Sequence, residues 1–132
     1  MSFLMDTNTC SVFMRRPSNL FHRFIQHSGR LYVSSVGLSE LYSWAYKQND
    51  PSPILARIHD LLKDVQVLSF DEPCALELGR VRGALLKRGI SIGAMDLMIA
   101  TVALVHDLTL VTHNVADFRD IPNLRIEDWL AP

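Results

Sequence analysis

The sequence has no long apolar run, no cysteine framework and no excess of charge of either sign. Its opening run, Ser2-Phe3-Leu4-Met5, suits a buried strand and is far too short to cross a bilayer. The two cysteines, Cys10 and Cys74, stand alone, with no C-x-x-C pair and no histidine spacing suited to zinc. Each reads as a small buried hydrophobe, and Cys10 lies close enough to Asp6 to read also as a pocket residue. Thirteen basic residues against 14 acidic leave a net charge of −1. That balance excludes a protein that coats nucleic acid non-specifically, so any RNA contact needs a local basic patch. The N-terminus has no basic segment and meets an acid at position 6, which argues against a signal peptide. A reduced, cytoplasmic protein with no membrane partner is expected. Internal repeats and low-complexity segments are absent as well.

What is present is a chain of 132 residues, 48% hydrophobic, enough for one globular domain over 1–132 with a real core. Strands are expected at 2–5, 31–33, 65–70, 108–112 and 124–126, where short β-rich or apolar runs end in polar turns. Between them, helical spacing predicts helices over 9–14, 19–26 (capped by Ser18), 36–47, 54–63, 71–87 and 94–106, and a short one after 113. The helix from Ala94 is apolar nearly all round and should be buried, with Asp96 as its exception. Strands alternating with helices imply a parallel sheet covered on both faces. The fold class is α/β, a single three-layer α/β/α domain with a mostly parallel central sheet.

Asp6, Glu40, Asp96 and Asp117 each fall where a strand ends or its following helix begins. In a parallel sheet those places share one edge, where ligands bind. Asp6 also reads as a plain helix cap, and Glu40 as compensation of a helix dipole. If the acids converge, two carboxylates about 5 Å apart repel by about 3 kcal/mol at an effective dielectric near 20. A divalent cation removes that conflict, and all-oxygen ligation suits Mg²⁺ or Mn²⁺ rather than zinc. Such sites commonly serve phosphate chemistry. The best basic patch is Arg80, Arg82, Lys87 and Arg88 on one helix, which reads equally as a solvated face. Tyr42, Trp44 and Tyr46 exceed what one buried face needs, so a partner is expected over part of that surface.

Met5-Asp6-Thr7-Asn8, Leu38-Ser39-Glu40-Leu41, Gly93-Ala94-Met95-Asp96-Leu97-Met98-Ile99-Ala100 and Thr112-His113-Asn114-Val115-Ala116-Asp117-Phe118 resemble, in order and spacing, the motifs of PIN-domain ribonucleases. The likeness covers essentially the whole chain and is greatest to VapC toxins of toxin–antitoxin pairs. The ending Leu124-Arg125-Ile126-Glu127-Asp128-Trp129 is similar to the group that cuts initiator tRNA in its anticodon loop. The resemblance implies a toxic Mg²⁺-dependent endoribonuclease, a homodimer, and neutralisation by a VapB antitoxin. It makes Asp6 and Asp96 the principal metal ligands, with Glu40 and Asp117 binding or orienting the metal. Asn8, Thr112 and Asn114 match polar positions that shape the pocket. RNA would be held by a limited patch drawn from Arg15, Arg16, Arg80, Arg82 and Lys87. His113 departs from the family pattern and reads as a neutral spectator, since nearness alone is weak grounds for a role. Trp44, Tyr46 and the helices around Pro51 are expected to meet the antitoxin.

Two other classes stay open on sequence. Asp6-Thr7-Asn8 is faintly similar to the haloacid-dehalogenase nucleophile, but that phosphatase chemistry wants a second acid at Asn8 and a lysine near His113. A non-catalytic PIN-fold or receiver-like binding module should lack one of the acids or carry that late lysine.

Overall fold

The computed structural model describes residues 1–16 and 21–131. Among them are five strands: Phe3–Met5 (β1), Leu31–Ser34 (β2), Gln66–Leu68 (β3), Thr109–Val111 (β4) and Ile126–Glu127 (β5). They pair in the order β3-β2-β1-β4-β5, every pair parallel, with Phe3 opposite both Leu31 and Thr109. The helices are Thr7–Arg15 (α1), Phe21–Gln26 (α2), Ser35–Tyr46 (α3), Ser52–Asp64 (α4), Glu72–Lys87 (α5), Ala94–Val105 (α6) and Val115–Phe118 (α7).

β1 is apolar without alternation because both its faces are covered, as parallel sheets require. Successive side chains still point to opposite faces. Phe3 and Met5 enter a core with Phe13, Leu41, Ile58 and Leu61, whereas Leu4 enters the second with Leu97, Val102, Leu110 and Phe118. The result is the expected three-layer α/β/α architecture, its sheet wholly rather than mostly parallel. α6 is buried along most of its length, and Thr101 meets its own need by donating to the Leu97 carbonyl at 2.7 Å. Among the described residues no helix is long and apolar enough to cross a membrane.

Several boundaries moved for local reasons. α1 starts at Thr7, two residues earlier than expected, because Asp6 caps it and accepts from the Thr9 amide. α3 starts at Ser35 because Ser34 ends β2 and caps the helix in the same step. Pro53 falls inside the first turn of α4, where its missing N–H costs nothing, so that helix starts at Ser52. β3 is a short edge strand with Gln66 and Val67 exposed. β5 lies at 126–127 instead of 124–126. The cap assigned to Ser18 lies outside the described residues.

From β1 the chain steps to β2 and β3 on one side, then crosses to β4 and β5 on the other. The carboxyl ends of β1 and β4 therefore flank the point where strand order reverses, the usual crevice for a ligand in an open α/β sheet.

Candidate functional site

Asp6 follows β1 directly and is only 5% exposed. A buried carboxylate is costly unless donors surround it. Here the Thr9 amide donates to Oδ1 at 2.9 Å and the Thr112 hydroxyl donates to Oδ2 at 2.6 Å. The Asp6 amide in turn donates to the Val111 carbonyl at 3.0 Å, and the Thr9 hydroxyl reaches the same carbonyl at 3.1 Å. Thr112, at the end of β4, also accepts from the Asn114 amide at 3.0 Å. β1, α1 and β4 are thereby stitched together around one carboxylate. The capping reading of Asp6 is correct, since one oxygen caps α1, and the other accepts from Thr112 at the end of β4.

Glu40 lies half-buried in α3 and accepts from the Thr7 hydroxyl at 2.5 Å. Asp96, in the first turn of α6, is half-buried as well. Burial raises its carboxyl above the ordinary carboxylate range, and the charges of Asp117, Glu40 and Asp6 raise it further, in that order. Asp117 is exposed on α7, its amide bonded to the Asn114 carbonyl. Four acids spread over more than a hundred positions thus act on one another across the strand-end crevice. A cavity of about 300 Å³ opens beside Asp96 and Asp117.

The donor chemistry fits a hard divalent cation, being all oxygen with an unrelieved concentration of negative charge at Asp96. Ligation is a tighter demand than mutual repulsion. Among the described residues no three His, Cys, Asp or Glu side chains already form a group able to hold a metal ion. Coulombic coupling reaches several ångströms, whereas Mg²⁺ ligation needs about 2.0–2.1 Å. The acids share a field without sharing a ligand shell.

The remaining sequence candidates separate. Asn8, in the first turn of α1, and Asn114, which precedes α7, are exposed near the crevice. Arg15 is nine residues along α1 from Asp6, about 13 Å at helical rise, and bonds Ser11 at 3.2 Å. Arg16 faces Asp64 at 3.6 Å. Arg80 pairs with Glu77 at 3.2 Å and lines a different groove with Leu104 and Val105, far along α6 from Asp96. The structure does not bring Arg15 or Arg80 to the acids. Arg82, Lys87 and Arg88 are exposed near the end of α5.

Sequence reasoning missed two of the threonines. Thr7 and Thr9 hold Glu40 and Asp6. The Asp6-to-Thr9 spacing of a helix cap was a usable signal for one of them; nothing in sequence pairs Thr7 with Glu40. His113 was read as a spectator, and its exposed ring places Nδ1 3.1 and 3.2 Å from the two Asp128 oxygens. Cys10 is buried, and burial together with the Asp6 charge pushes its thiol up, so it is no thiolate. Trp44 is half-buried against the first core, while Tyr46 is exposed.

Comparison with known proteins agrees with this geometry. The PIN domain model matches residues 3–124. The chain is 35% identical to the tRNA(fMet)-specific endonuclease VapC of Salmonella typhimurium over 130 residues, 98% of each protein. It is 34% identical to Ribonuclease VapC2 of Haemophilus influenzae over 131 residues, 98% of this chain and 99% of that one. Among solved structures, DNA-bound VapBC from Salmonella typhimurium superimposes with a TM-score of 0.92 at 35% identity, covering 98% of both chains. With acids gathered at the β1–β4 reversal and likeness along nearly its whole length, this chain belongs to the PIN-domain family, on its VapC branch.

Proposed function

We propose that this chain is a VapC-type endoribonuclease that hydrolyses RNA phosphodiester bonds with Mg²⁺ or Mn²⁺, the domain spanning 1–132. The observation that supports it is the state of Asp96, whose carboxyl is driven up by burial and by three other acids at the crevice. Asp6, Glu40, Asp96 and Asp117 would hold the cation. Once bound, it supplies charge stabilisation at the phosphate and eases ionisation of water. The chain's own part is positional. Thr9 and Thr112 fix the orientation of the Asp6 carboxylate, Thr7 restrains Glu40, and Asn8 and Asn114 offer polar groups at the rim.

The substrate we favour is tRNA, with the anticodon loop of initiator tRNA as the cut site. This follows the name of the Salmonella relative and the similar ending 124–129. A VapB-type antitoxin would neutralise the enzyme, as complexes of that kind are known for related chains, and the toxin would act as a homodimer. Tyr46, exposed on α3, with Trp44 and the helices around Pro51 would meet the antitoxin. The phosphatase reading lapses with the family, and His113 stands where its lysine would be.

Purified chain incubated with total tRNA in Mg²⁺, Mn²⁺ or EDTA tests this, with the cut ends mapped. Discrete cleavage that EDTA abolishes is expected. Cleavage indifferent to EDTA, or none with either metal, would overturn it.

A further inference from the structure

The turn that follows β4 carries two neighbouring side chains with different surroundings. Thr112 is buried and donates to Asp6 Oδ2 at 2.6 Å. His113, the next residue, stands at the same strand end with its imidazole side chain 56% exposed. Its Nδ1 lies 3.1 and 3.2 Å from the two oxygens of Asp128, and among the described residues no hydrogen bond reaches Nε2. A surface pair of this kind adds little stability, yet its parts are firmly held. Asp128 Oδ1 also accepts from the Leu130 and Ala131 amides at 3.0 and 3.1 Å. Trp129 is buried against Phe3, Phe24 and His27, and the Thr112 amide donates to the Glu127 carbonyl at 3.0 Å. The imidazole is therefore fixed from two sides, by the strand end that cradles Asp6 and by a C-terminal segment anchored in the core.

A carboxylate only accepts hydrogen bonds, so Nδ1 must carry the hydrogen. A neutral imidazole has one N–H, which leaves Nε2 as an acceptor of set orientation at the rim of the crevice. Asn114, the adjacent rim residue, makes no side-chain capping bond, so of the two His113 presents the restrained group. Metal-assisted hydrolysis directs water to phosphorus and leaves the sugar untouched. Acids and a cation would cut DNA by the same route, and a ribonuclease of this kind needs a separate contact that recognises ribose. The 2′-hydroxyl is the group that tells RNA from DNA, and it can donate to such an acceptor.

We propose that His113 is a specificity-determining residue whose Nε2 accepts from a ribose 2′-hydroxyl beside the scissile phosphate, with Asp128 as the positioning residue that orients it. The inference rests on the ribonuclease reading above. An imidazolium would instead present a second N–H and meet phosphate in RNA and DNA alike, an outcome that the test separates.

The test uses the full chain, His113→Ala and Asp128→Ala at about pH 8 in Mg²⁺. The substrates are an oligoribonucleotide carrying the cut site mapped on total tRNA and copies with a single 2′-deoxy substitution at each nucleotide flanking the cut. At one of these positions wild type should cleave the deoxy copy about fivefold more slowly, the loss expected for one neutral hydrogen bond. His113→Ala should cleave the all-ribose strand more slowly by the same factor and no longer distinguish the two. Asp128→Ala should narrow the ratio. A wild-type ratio that survives in His113→Ala, or a variant that slows both strands equally, would overturn the proposal. Imidazole nitrogen NMR, with His113→Ala to assign the signal, gives a readout independent of cleavage. Nδ1 should carry the proton, and RNA but not DNA of the same sequence should shift Nε2; a proton on Nε2, or equal shifts with both, would also overturn it. If wild type cleaves none of the strands, the ribonuclease reading fails, and the nitrogen shifts still decide the sugar contact.

Discussion

Asp6, where β1 ends, and Asp96, in the first turn of α6, are carboxylates of one crevice with opposite surroundings. Asp6 is nearly closed off from solvent, yet each of its oxygens has a donor, the Thr9 amide and the Thr112 hydroxyl. Asp96 is more open, and what surrounds it is burial plus three like charges. The buried acid is therefore the comfortable one. Donors that belong to the sheet and to α1 make Asp6 a permanent part of the fold. Asp96 is tolerated because the rest of α6 is anchored by Leu97, Ile99, Ala100, Val102 and Ala103 in the second core. One side of the site is built during folding, and the other waits for a counter-charge.

The contrast can be broken in order of severity. Replacing Asp96 by Asn keeps shape and removes the charge that the cation would meet. RNA cleavage in Mg²⁺ should fall by at least about a hundredfold, in the range seen when one preorganised electrostatic group is lost, and growth arrest on expression should be relieved. Cleavage of total tRNA by the variant at the wild-type rate would contradict the site assignment.

Next, Thr112→Val strips one donor from Asp6 while preserving volume. An unsatisfied buried group costs about 1–3 kcal/mol, read as a lower urea midpoint, and cleavage should drop with it. Thr112→Ser should restore both. An unchanged midpoint in the valine variant would mean that Asp6 is less dependent on β4 than its geometry implies.

Third, Asp96→Asn should stabilise the metal-free protein at neutral pH. The sign follows from linkage: a carboxyl raised in the folded state binds more protons there than when unfolded, so stability falls as pH rises from the ordinary carboxylate value through the raised one. Urea midpoints of wild type and variant should converge in acid and separate towards pH 7, with the variant higher. Added Mg²⁺ should raise the wild type and leave the variant nearly unmoved.

The smallest effect belongs to His113→Ala. Its contact with Asp128 is at the surface, with the imidazole side chain 56% exposed, and such pairs contribute under about 1 kcal/mol. A larger loss would reveal that the β4–α7 turn depends on the C-terminal segment.

Much of this was legible before any coordinates. The apolar run 3–5 and the helix from Ala94 are local patterns, and each kept its place, whereas Asp96 opens a helix that follows α5 and not a strand. The cap at Asp6 is legible too, although helical spacing alone starts α1 two residues later than the structure does. Less legible were contacts spanning the chain. The bond from Thr112 to Asp6 joins residues 106 apart, and no periodicity encodes it. The basic patch failed for a related reason. Arg15 and Arg80 read as members of one surface, but helix length carries Arg15 away from the crevice, and Glu77 holds Arg80 beside the far end of α6.

Sequence alone determined which segments become strands and helices and that the sheet is parallel. Those properties follow from side-chain spacing of two or 3.6 residues and from the chemistry of turns, which act over a few positions. Tertiary structure decided the strand order that sets β4 beside β1, and hence which acid is cradled and which is left repelled. That division depends on distances between residues remote in the chain, and a carboxylate's charge state answers to its neighbours in space.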